Sequence, residues 1–433
     1  MQLTHGFKIN QERCRGCLSC MRACPTHAIR VKDGKARYEP DHCIDCGSCL
    51  KACSSNAIAA TTWSFEDLSR FKFKVAVPSP VLFGQFPAGI TPAHIVEGLL
   101  ALGFDAVWDY AVDISLVGRA IHSYLEEWKG LFPLISISCP VVVRLVQVSY
   151  PRMVDQLIHI ELPREIAARE AKRRYSEQMG LSRDEIAVIY ITPCQGKTIS
   201  ILQPAEGVES NLNGALAISD IYNAIVASAS LRRDEAERPL SKNIIRNSTF
   251  LQGSVSEGLG RILSRHRYLH VTGLSNIIQV FDDIEKGKLR NVEFLEANSC
   301  WTGCMGGNLT VANVYVTLSK FHSLIRELPE MDPETEAEVE RRYPAEDFSL
   351  KGRIRPRPVK ESTGDLRERV RMIQLSEAIL KTLPGLDCGL CGAPACKDMA
   401  RDIAMGDAEK TGCVFCSEDR LRQLQRMYLP RGK

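Results

Sequence analysis

Three features are missing from this sequence of 433 residues, and each absence narrows its possible functions. The formal net charge is only +3, so the overall balance gives no reason to expect binding to nucleic acid or to an anionic membrane. No apolar run approaches the length of a transmembrane helix, which predicts no membrane span. The N-terminus has no apolar signal-peptide core, so we expect a cytoplasmic protein.

Cysteine, in contrast, is abundant. The chain has 17 cysteines, in three groups separated by cysteine-poor stretches. In a reducing compartment such grouping indicates metal binding rather than a disulfide framework, and exposed clusters would favour oxygen-free surroundings. The composition, 45% hydrophobic and 25% charged, suits two or three globular domains.

The first group lies in residues 1–62, where the pattern C-x2-C-x2-C-x3-C occurs twice. Three closely spaced thiols can wrap one face of a cubane while the fourth reaches the other cluster. The predicted ligand sets are Cys14, Cys17, Cys20 and Cys53 for one cluster, and Cys43, Cys46, Cys49 and Cys24 for the other. Zinc is an alternative that the duplication disfavours. The pattern resembles a bacterial two-cluster ferredoxin, which implies a small α+β domain with two [4Fe-4S] clusters.

Residues 72–330 alternate strand-length apolar runs with helical stretches, which predicts an α/β domain with largely parallel sheets. Helices are predicted over 114–128, 141–149, 218–228, 274–286 and 310–326. Cysteines follow three of the strands, namely Cys139, Cys194, and the pair Cys300 and Cys304 on a glycine-rich turn. Because the carboxyl ends of parallel strands meet at one edge, we expect these thiols to converge. Buried structural cysteines are the alternative for the last pair.

Three motifs in this region carry a resemblance to the catalytic domain of [FeFe]-hydrogenases. They are I-S-C-P at 137–140, T-P-C-Q-G-K at 192–197, and E-A-N-S-C-W-T-G-C at 296–304, with Val77-Pro78-Ser79 matching the family's A-P-S turn. The resemblance implies an H-cluster, a [4Fe-4S] cluster bridged to a two-iron subcluster with CO and CN ligands. The implied cubane ligands are Cys139, Cys194, Cys300 and Cys304, with Cys304 as the bridge. Lys197, Pro78 and Ser79 would donate hydrogen bonds to the cyanides, and a solvated surface lysine is the alternative for Lys197.

The chain departs from the family along the proton relay. Ser138 stands in place of the relay thiol, and the two relay carboxylates fall on Val117 and Ala120. A thiol releases a proton near pH 8.5, whereas an aliphatic alcohol does so only at far higher pH. Two pocket methionines of the family are replaced as well, by Thr192 and Asn298. Asp109, Asp113, Glu126 and Glu127 could serve another route, although solvated surface acids are the favoured interpretation.

The third group follows a charged, proline-containing stretch, 331–365, that predicts a linker. Residues 366–433 are expected to fold separately, with a helix over 366–380 and an end helix over 418–429 for a partner. The cysteines at 388, 391, 396 and 413 resemble a four-cysteine iron–sulfur domain of anaerobic electron-transfer subunits, and zinc is the alternative. The proposed ligands are Cys388, Cys391, Cys396 and Cys413, which leaves Cys416 as a free thiol.

Together these features predict a hydrogenase-like protein with three [4Fe-4S] clusters and an H-cluster. The resemblance implies slow reaction with dihydrogen and protons, in a role similar to the family's sensory branch. We expect a redox protein or signalling chain as partner, and a homodimer is compatible. The alternatives are a modest catalytic hydrogenase, an electron-transfer subunit of a larger redox complex, or a protein whose two-iron site is never loaded.

Overall fold

The computed structural model describes residues 5–231, 247–252, 263, 265–357 and 365–416. The chain divides into two compact units. The terminal unit combines Met1–Ala60 with Arg357–Lys433, and the central unit is Thr61–Pro356. The two ends of the chain therefore share one unit, which differs from the expected separate folding of residues 366–433. The end helix predicted over 418–429 lies outside the described residues.

The described residues form the following strands and helices, in chain order. The strands are β1 (Phe7–Ile9), β2 (Ile29–Lys32), β3 (Lys35–Tyr38), β4 (Ile58–Ala60), β5 (Phe73–Pro78), β6 (Ala106–Val107), β7 (Leu134–Ile135), β8 (Ile186–Thr192), β9 (Gly214–Ala217), β10 (Tyr268–Thr272), β11 (Phe294–Asn298) and β12 (Trp301–Cys304). The helices are α1 (Ser19–Arg22), α2 (Ser48–Ala52), α3 (Phe65–Leu68), α4 (Pro92–Ala101), α5 (Ala111–Glu127), α6 (Pro140–Ser149), α7 (Pro163–Met179), α8 (Gln195–Leu202), α9 (Ile218–Leu231), α10 (Ser248–Gln252), α11 (Leu274–Glu285), α12 (Val314–Glu327), α13 (Pro333–Arg342), α14 (Leu366–Leu380) and α15 (Cys396–Ala404).

Two parallel sheets organise the central unit, which confirms the predicted α/β class. The larger sheet has the strand order β6-β5-β8-β9, and the smaller sheet has the order β10-β11-β7. All neighbouring strands in both sheets are parallel. Every residue of β8 is buried, as a continuous apolar run in the middle of a parallel sheet requires. Among the described residues, no helix is long and apolar enough to cross a membrane.

The predicted linker over 331–365 is wrong for residues 331–356, which belong to the central unit. Helix α13 begins there, and the side chain of Asp332 caps it by accepting a hydrogen bond from the backbone N–H of Thr335. At its other end Arg342 lies 3.0 Å from the carboxylate of buried Asp113 on α5. The charged residues that suggest a linker thus include partners of buried acids, which sequence composition does not reveal.

The terminal unit is built from two antiparallel pairs, β1 with β4 and β2 with β3. Asp33 and Gly34 form the turn of the second pair and both have positive φ, as a two-residue hairpin requires. The C-terminal segment packs on this pair, because the N–H of Val31 donates to the carbonyl of Gly392 over 2.9 Å. A Cβ at Gly392 would lie 1.9 Å from the carbonyl oxygen of Val31, so this approach needs glycine.

Candidate metal centre

The first cysteine turn of the central unit joins β8 to α8. Cys194 is the residue immediately before α8. The hydroxyl of Thr192 donates to the carbonyl of Cys194 over 2.9 Å and accepts from its N–H over 3.3 Å. A side chain that bonds the backbone two residues further on stabilises a tight turn. Thr192 therefore fixes the orientation of Cys194 at the carboxyl edge of the larger sheet.

The second cysteine turn follows β11 and is held against the first. The N–H of Leu309 donates to the carbonyl of Pro193 over 2.9 Å, and the side chain of Asn308 accepts from the N–H of Gln195 over 3.1 Å. A Cβ at Gly307 would lie 2.2 Å from the carbonyl oxygen of Pro193. Glycine is therefore required where the turn bearing Cys304 meets the turn bearing Cys194.

The thiols of the central unit come together between these turns. Cys139 ends the segment after β7, and its Sγ lies 3.5 Å from the hydroxyl of Ser299, the residue before Cys300. Burial raises the pKa of the Cys194 thiol to about 11, and the thiols of Cys304 and Cys139 add to that effect while Lys197 opposes it. The structure thus brings the cysteines to the region where the carboxyl edges of both sheets meet.

Lys197 is buried beside these thiols. It projects from α8 with only 7% of its surface exposed, and its Nζ donates to the Sγ of Cys304 over 3.2 Å. Burial alone would lower its pKa, but the negative charges of Cys304 and Tyr190 outweigh burial, so the pKa is raised and the ammonium is retained. This burial excludes the alternative of a solvated surface lysine.

Several buried polar atoms of the central unit have no hydrogen-bond partner among the described residues. They include the hydroxyls of Ser79 and Thr302 and both amide atoms of Gln195. Ser79 follows β5, next to β8, and its N–H donates to the carbonyl of Ile191 over 3.0 Å. Buried groups of this kind normally bond to something, so a polar group that is not part of the protein would satisfy them. Soft thiolates together with such donors fit an iron–sulfur group with polar ligands.

Pro78 requires a correction. It has no N–H, so the expected hydrogen bond donated from Pro78 is wrong on chemical grounds. Its contribution is to the turn: Pro78 is the last residue of β5 and Ser79 precedes a short 3-10 helix, Pro80–Gly84. Of the two residues, only Ser79 offers a donor.

A cavity of about 100 Å³ lies against Lys197 and Cys304. Two of the three altered relay positions, Val117 and Ser138, line it, whereas Ala120 on the same helix as Val117 does not. Ser138 receives a hydrogen bond from the hydroxyl of Ser136 over 3.0 Å. Asn298 also lines the cavity. Three of the five replacements noted in the sequence therefore line one cavity.

Acids in this cavity were missed by sequence reasoning. Glu161 and Glu296 line it, although Glu296 stood within a quoted motif without a role. The available signal for Glu161 was an acid inside an otherwise apolar run, L-I-H-I-E-L, ahead of a proline. Asp113, offered as an alternative acid, lies elsewhere beside Arg342; burial raises its pKa to about 6, more than the guanidinium lowers it.

The thiols of the terminal unit are grouped in the crossed arrangement that the ferredoxin pattern predicts. Cys20 is close enough to interact with Cys14, Cys17 and Cys53, and burial raises its pKa to about 11. Cys43 in turn interacts with Cys46 and Cys24. The same local hydrogen bond occurs in both copies of the cysteine pattern. The N–H of Ala28 donates to the Sγ of Cys24, and the N–H of Ala57 donates to the Sγ of Cys53, each over 3.2 Å.

In the C-terminal segment, Cys391 lies near Cys388 and Cys413. Cys416 is exposed, yet it lies near Cys396 and Cys413. Cys416, expected from the spacing to be a free thiol, thus lies beside two of the four proposed ligands.

Comparison with known proteins defines the class of this iron–sulfur protein. Residues 72–264 match the iron only hydrogenase large subunit, C-terminal domain. Residues 7–54 match a 4Fe-4S dicluster domain, and residues 383–415 match a putative Fe-S cluster domain. The chain is thus similar to the iron only hydrogenase large subunit over 72–264, and to two kinds of iron–sulfur cluster domain over 7–54 and 383–415.

Individual relatives are distant. The chain is 30% identical over 219 residues to the periplasmic [Fe] hydrogenase large subunit of Nitratidesulfovibrio vulgaris, covering 46% of this chain and 52% of that protein. It is 26% identical over 137 residues to the NADP-reducing hydrogenase subunit HndD of Solidesulfovibrio fructosivorans, covering 28% and 23%. The chain thus spans about half or less of these relatives. A solved [FeFe]-hydrogenase from Chlamydomonas reinhardtii has 15% identity and a TM-score of 0.47, covering 66% of this chain and 95% of that one.

Proposed function

We propose that this protein holds an H-cluster in its central unit, reacts slowly with dihydrogen and passes electrons through [4Fe-4S] clusters, in a sensory or regulatory role. The observation that carries the proposal is the buried ammonium of Lys197, 3.2 Å from the Sγ of Cys304 and beside orphaned polar groups. When bound, the H-cluster supplies the iron chemistry that splits dihydrogen into protons and electrons. Everything else must come from the chain.

The chain's first task is to hold the group. The thiols of Cys139, Cys194, Cys300 and Cys304 are the proposed cubane ligands. The ammonium of Lys197 stabilises an anionic partner through charge-assisted hydrogen bonding, which is about twice as strong as a neutral hydrogen bond. The hydroxyl of Ser79, which has no partner in the described part of the chain, offers a second donor from the edge of the larger sheet. Such supporting donors orient a metal group and tune its electronics.

Its second task is to move protons, and here the chain is poorly equipped at the family's relay positions. Val117 and Ser138 line the cavity, and neither titrates near neutral pH. General acid–base catalysis is most efficient when the relay pKa lies near the working pH. Slow proton transfer, with the cluster ligands retained, supports a protein that reports dihydrogen to a partner rather than one that turns it over rapidly.

The cysteines of the terminal unit are the observation that supports the electron-transfer part of this proposal. Its thiols form three groups suited to [4Fe-4S] clusters, for which we propose the ligand sets predicted from the sequence. A redox protein or signalling chain would receive the electrons. A cytoplasmic location and a homodimer remain part of this proposal.

Maturation with a synthetic two-iron cofactor tests the proposal. We expect infrared bands of bound carbon monoxide and cyanide, and dihydrogen evolution with a reduced dye far below that of a relay-complete hydrogenase. Absence of the bands would favour a protein whose two-iron site is never loaded. Bands with fast turnover would instead favour a catalytic hydrogenase or an electron-transfer subunit.

A further inference from the structure

One buried acid in the cavity has no role in the function proposed above. Glu161 lies two residues before the start of α7, is only 5% exposed, and lines the same cavity as Ser138 and Cys304. Burial raises the pKa of Glu161 to about 7, and the carboxylate of Glu165 adds to the effect while Arg169 opposes it. A carboxyl group with such a pKa can both give and take a proton near neutral pH.

Glu161 also lines a second, smaller cavity of about 30 Å³. Glu206 lines this second cavity, is half-buried, and has a pKa raised by burial. The first cavity has room for several water molecules, since one needs roughly 10–15 Å³ of accessible space. The second has room for about two or three by the same measure. Water in both cavities would connect Glu161 and Glu206, two carboxyl groups whose pKa values are raised above the usual range.

We propose that Glu161 and Glu206 form a proton route between the cavity beside Cys304 and the surface, replacing the relay that this chain lacks. In the direction of dihydrogen evolution, the carboxyl of Glu161 gives its proton to water in the first cavity. The carboxylate then takes a proton from water in the second cavity, which Glu206 resupplies. Only protons move in this route, and it runs backwards during dihydrogen oxidation. It rests on the proposed function.

The charged groups around Glu161 are compatible with this role. Arg169 donates to Glu161 over 3.4 Å and also to Glu346, so the guanidinium is shared between two acids. Lys351 lowers the pKa of Glu161, while Glu165 and Glu206 raise it. Three further cations line the cavities beside Glu161: Arg164 lines both, Lys197 the first and Arg144 the second. Cations and acids thus act on the protonation of Glu161 in opposite directions.

The other acids of the region are less suited. Glu296 lines the first cavity, but its carboxylate accepts hydrogen bonds from the hydroxyl of Tyr268 and the amide of Asn298. Asp113 lies outside this cavity, beside Arg342. Among the described residues, Glu161 is the acid that lines both cavities.

The test compares E161Q and E206Q with E177Q, an exposed glutamate of α7, in protein loaded with the two-iron cofactor. We expect roughly tenfold or greater loss of dihydrogen turnover in E161Q, with unchanged carbon monoxide and cyanide bands, an effect of about 1.4 kcal/mol or more on the barrier. The change in dihydrogen turnover near pH 7 that we expect in the wild type should be absent in E161Q. Turnover in E206Q should fall in the same direction, and E177Q should match the wild type.

Infrared difference spectra across pH provide a readout independent of turnover. A carboxyl C=O band that titrates near pH 7 should be present in the wild type, with or without the two-iron cofactor, and absent in E161Q. Unchanged turnover in E161Q, persistence of that band, or a loss found in E296Q instead of E161Q would overturn the proposal. Absence of carbon monoxide and cyanide bands in loaded wild type would refute the proposed function instead, while the band titration would still decide the protonation of Glu161.

Discussion

The joining of the two chain ends can be tested by removing Asp402. The guanidinium of Arg30 bonds both carboxylate oxygens of Asp402, at 2.6 and 3.1 Å, and each residue is at most 4% exposed. Asp402→Ala leaves Arg30 buried with weaker partners, Glu39 at 3.4 Å and Asp398 at 4.0 Å. Breaking a buried pair costs about 3–5 kcal/mol, and the remaining acids recover part of it, so we expect a loss of about 3 kcal/mol.

The assay is anaerobic urea denaturation of cluster-loaded protein, followed by the cluster absorbance and by released iron. A shared unit should lose the ferredoxin clusters and the C-terminal cluster in one transition, whose midpoint falls without a change in slope. Glu12→Ala removes an exposed acid of the same unit and should change stability by less than about 0.5 kcal/mol. Two separate transitions, with only the C-terminal one shifted by Asp402→Ala, would refute the shared unit.

Three further predictions concern the central unit. In the folded state Glu161 keeps its proton up to about pH 7, whereas in the unfolded chain it loses the proton near pH 4.5. The free energy of unfolding should therefore decrease by up to about 3 kcal/mol as the pH rises between these two values. Glu161→Gln should remove that decrease, which urea denaturation at pH 5 and pH 8 would measure. Lys197→Ala should abolish the carbon monoxide and cyanide bands while keeping the cubane signal, and unchanged bands would contradict the role of the ammonium. Cys at Ser138 together with Glu at Val117 and Ala120 should raise dihydrogen turnover well beyond any single change, because relay groups act as a unit; equal gains from Ser138→Cys alone would argue against this.

The elements of the central unit were largely predictable because their signals are local. The side chain of Thr91 accepts a hydrogen bond from the N–H of His94, and Pro92 occupies the first helical position, so two consecutive residues mark the start of α4. The helix predicted over 366–380 has those bounds in the structure, as α14. One of the strand-length apolar runs noted in the sequence forms β8. Capping, periodicity and apolar run length each act within a few residues, so a single sequence displays them.

The packing of the N-terminal and C-terminal segments into one unit was not predictable, because it depends on single residues that are far apart in the chain. Arg30 and Asp402 are separated by 372 positions, and each alone looks like a solvated surface charge. Glu161 escaped notice for a similar reason: its burial depends on α7 and on residues near 350, not on its neighbours in sequence. The motifs identified the cysteines because metal ligation requires a fixed spacing in the sequence. A buried acid requires only a cavity, and cavities result from tertiary packing, which the local sequence does not show.

Packing of the ends also changes what the C-terminal cysteines can do. Arg22 at the end of α1 donates to the carbonyl of Cys388 over 3.3 Å, and a Cβ at Gly389 would lie 2.9 Å from the side chain of Met21. Helix α1 carries Cys20, so the proposed C-terminal cluster would lie against the element that supports a ferredoxin cluster. Replacing Cys388 should therefore disturb more than one cluster, contrary to the expectation of an independent domain. Under the proposed function, electrons would move through clusters of the terminal unit, while protons would depend on Glu161 and water. The proposal therefore expects proton transfer, and not electron transfer, to limit the reaction with dihydrogen.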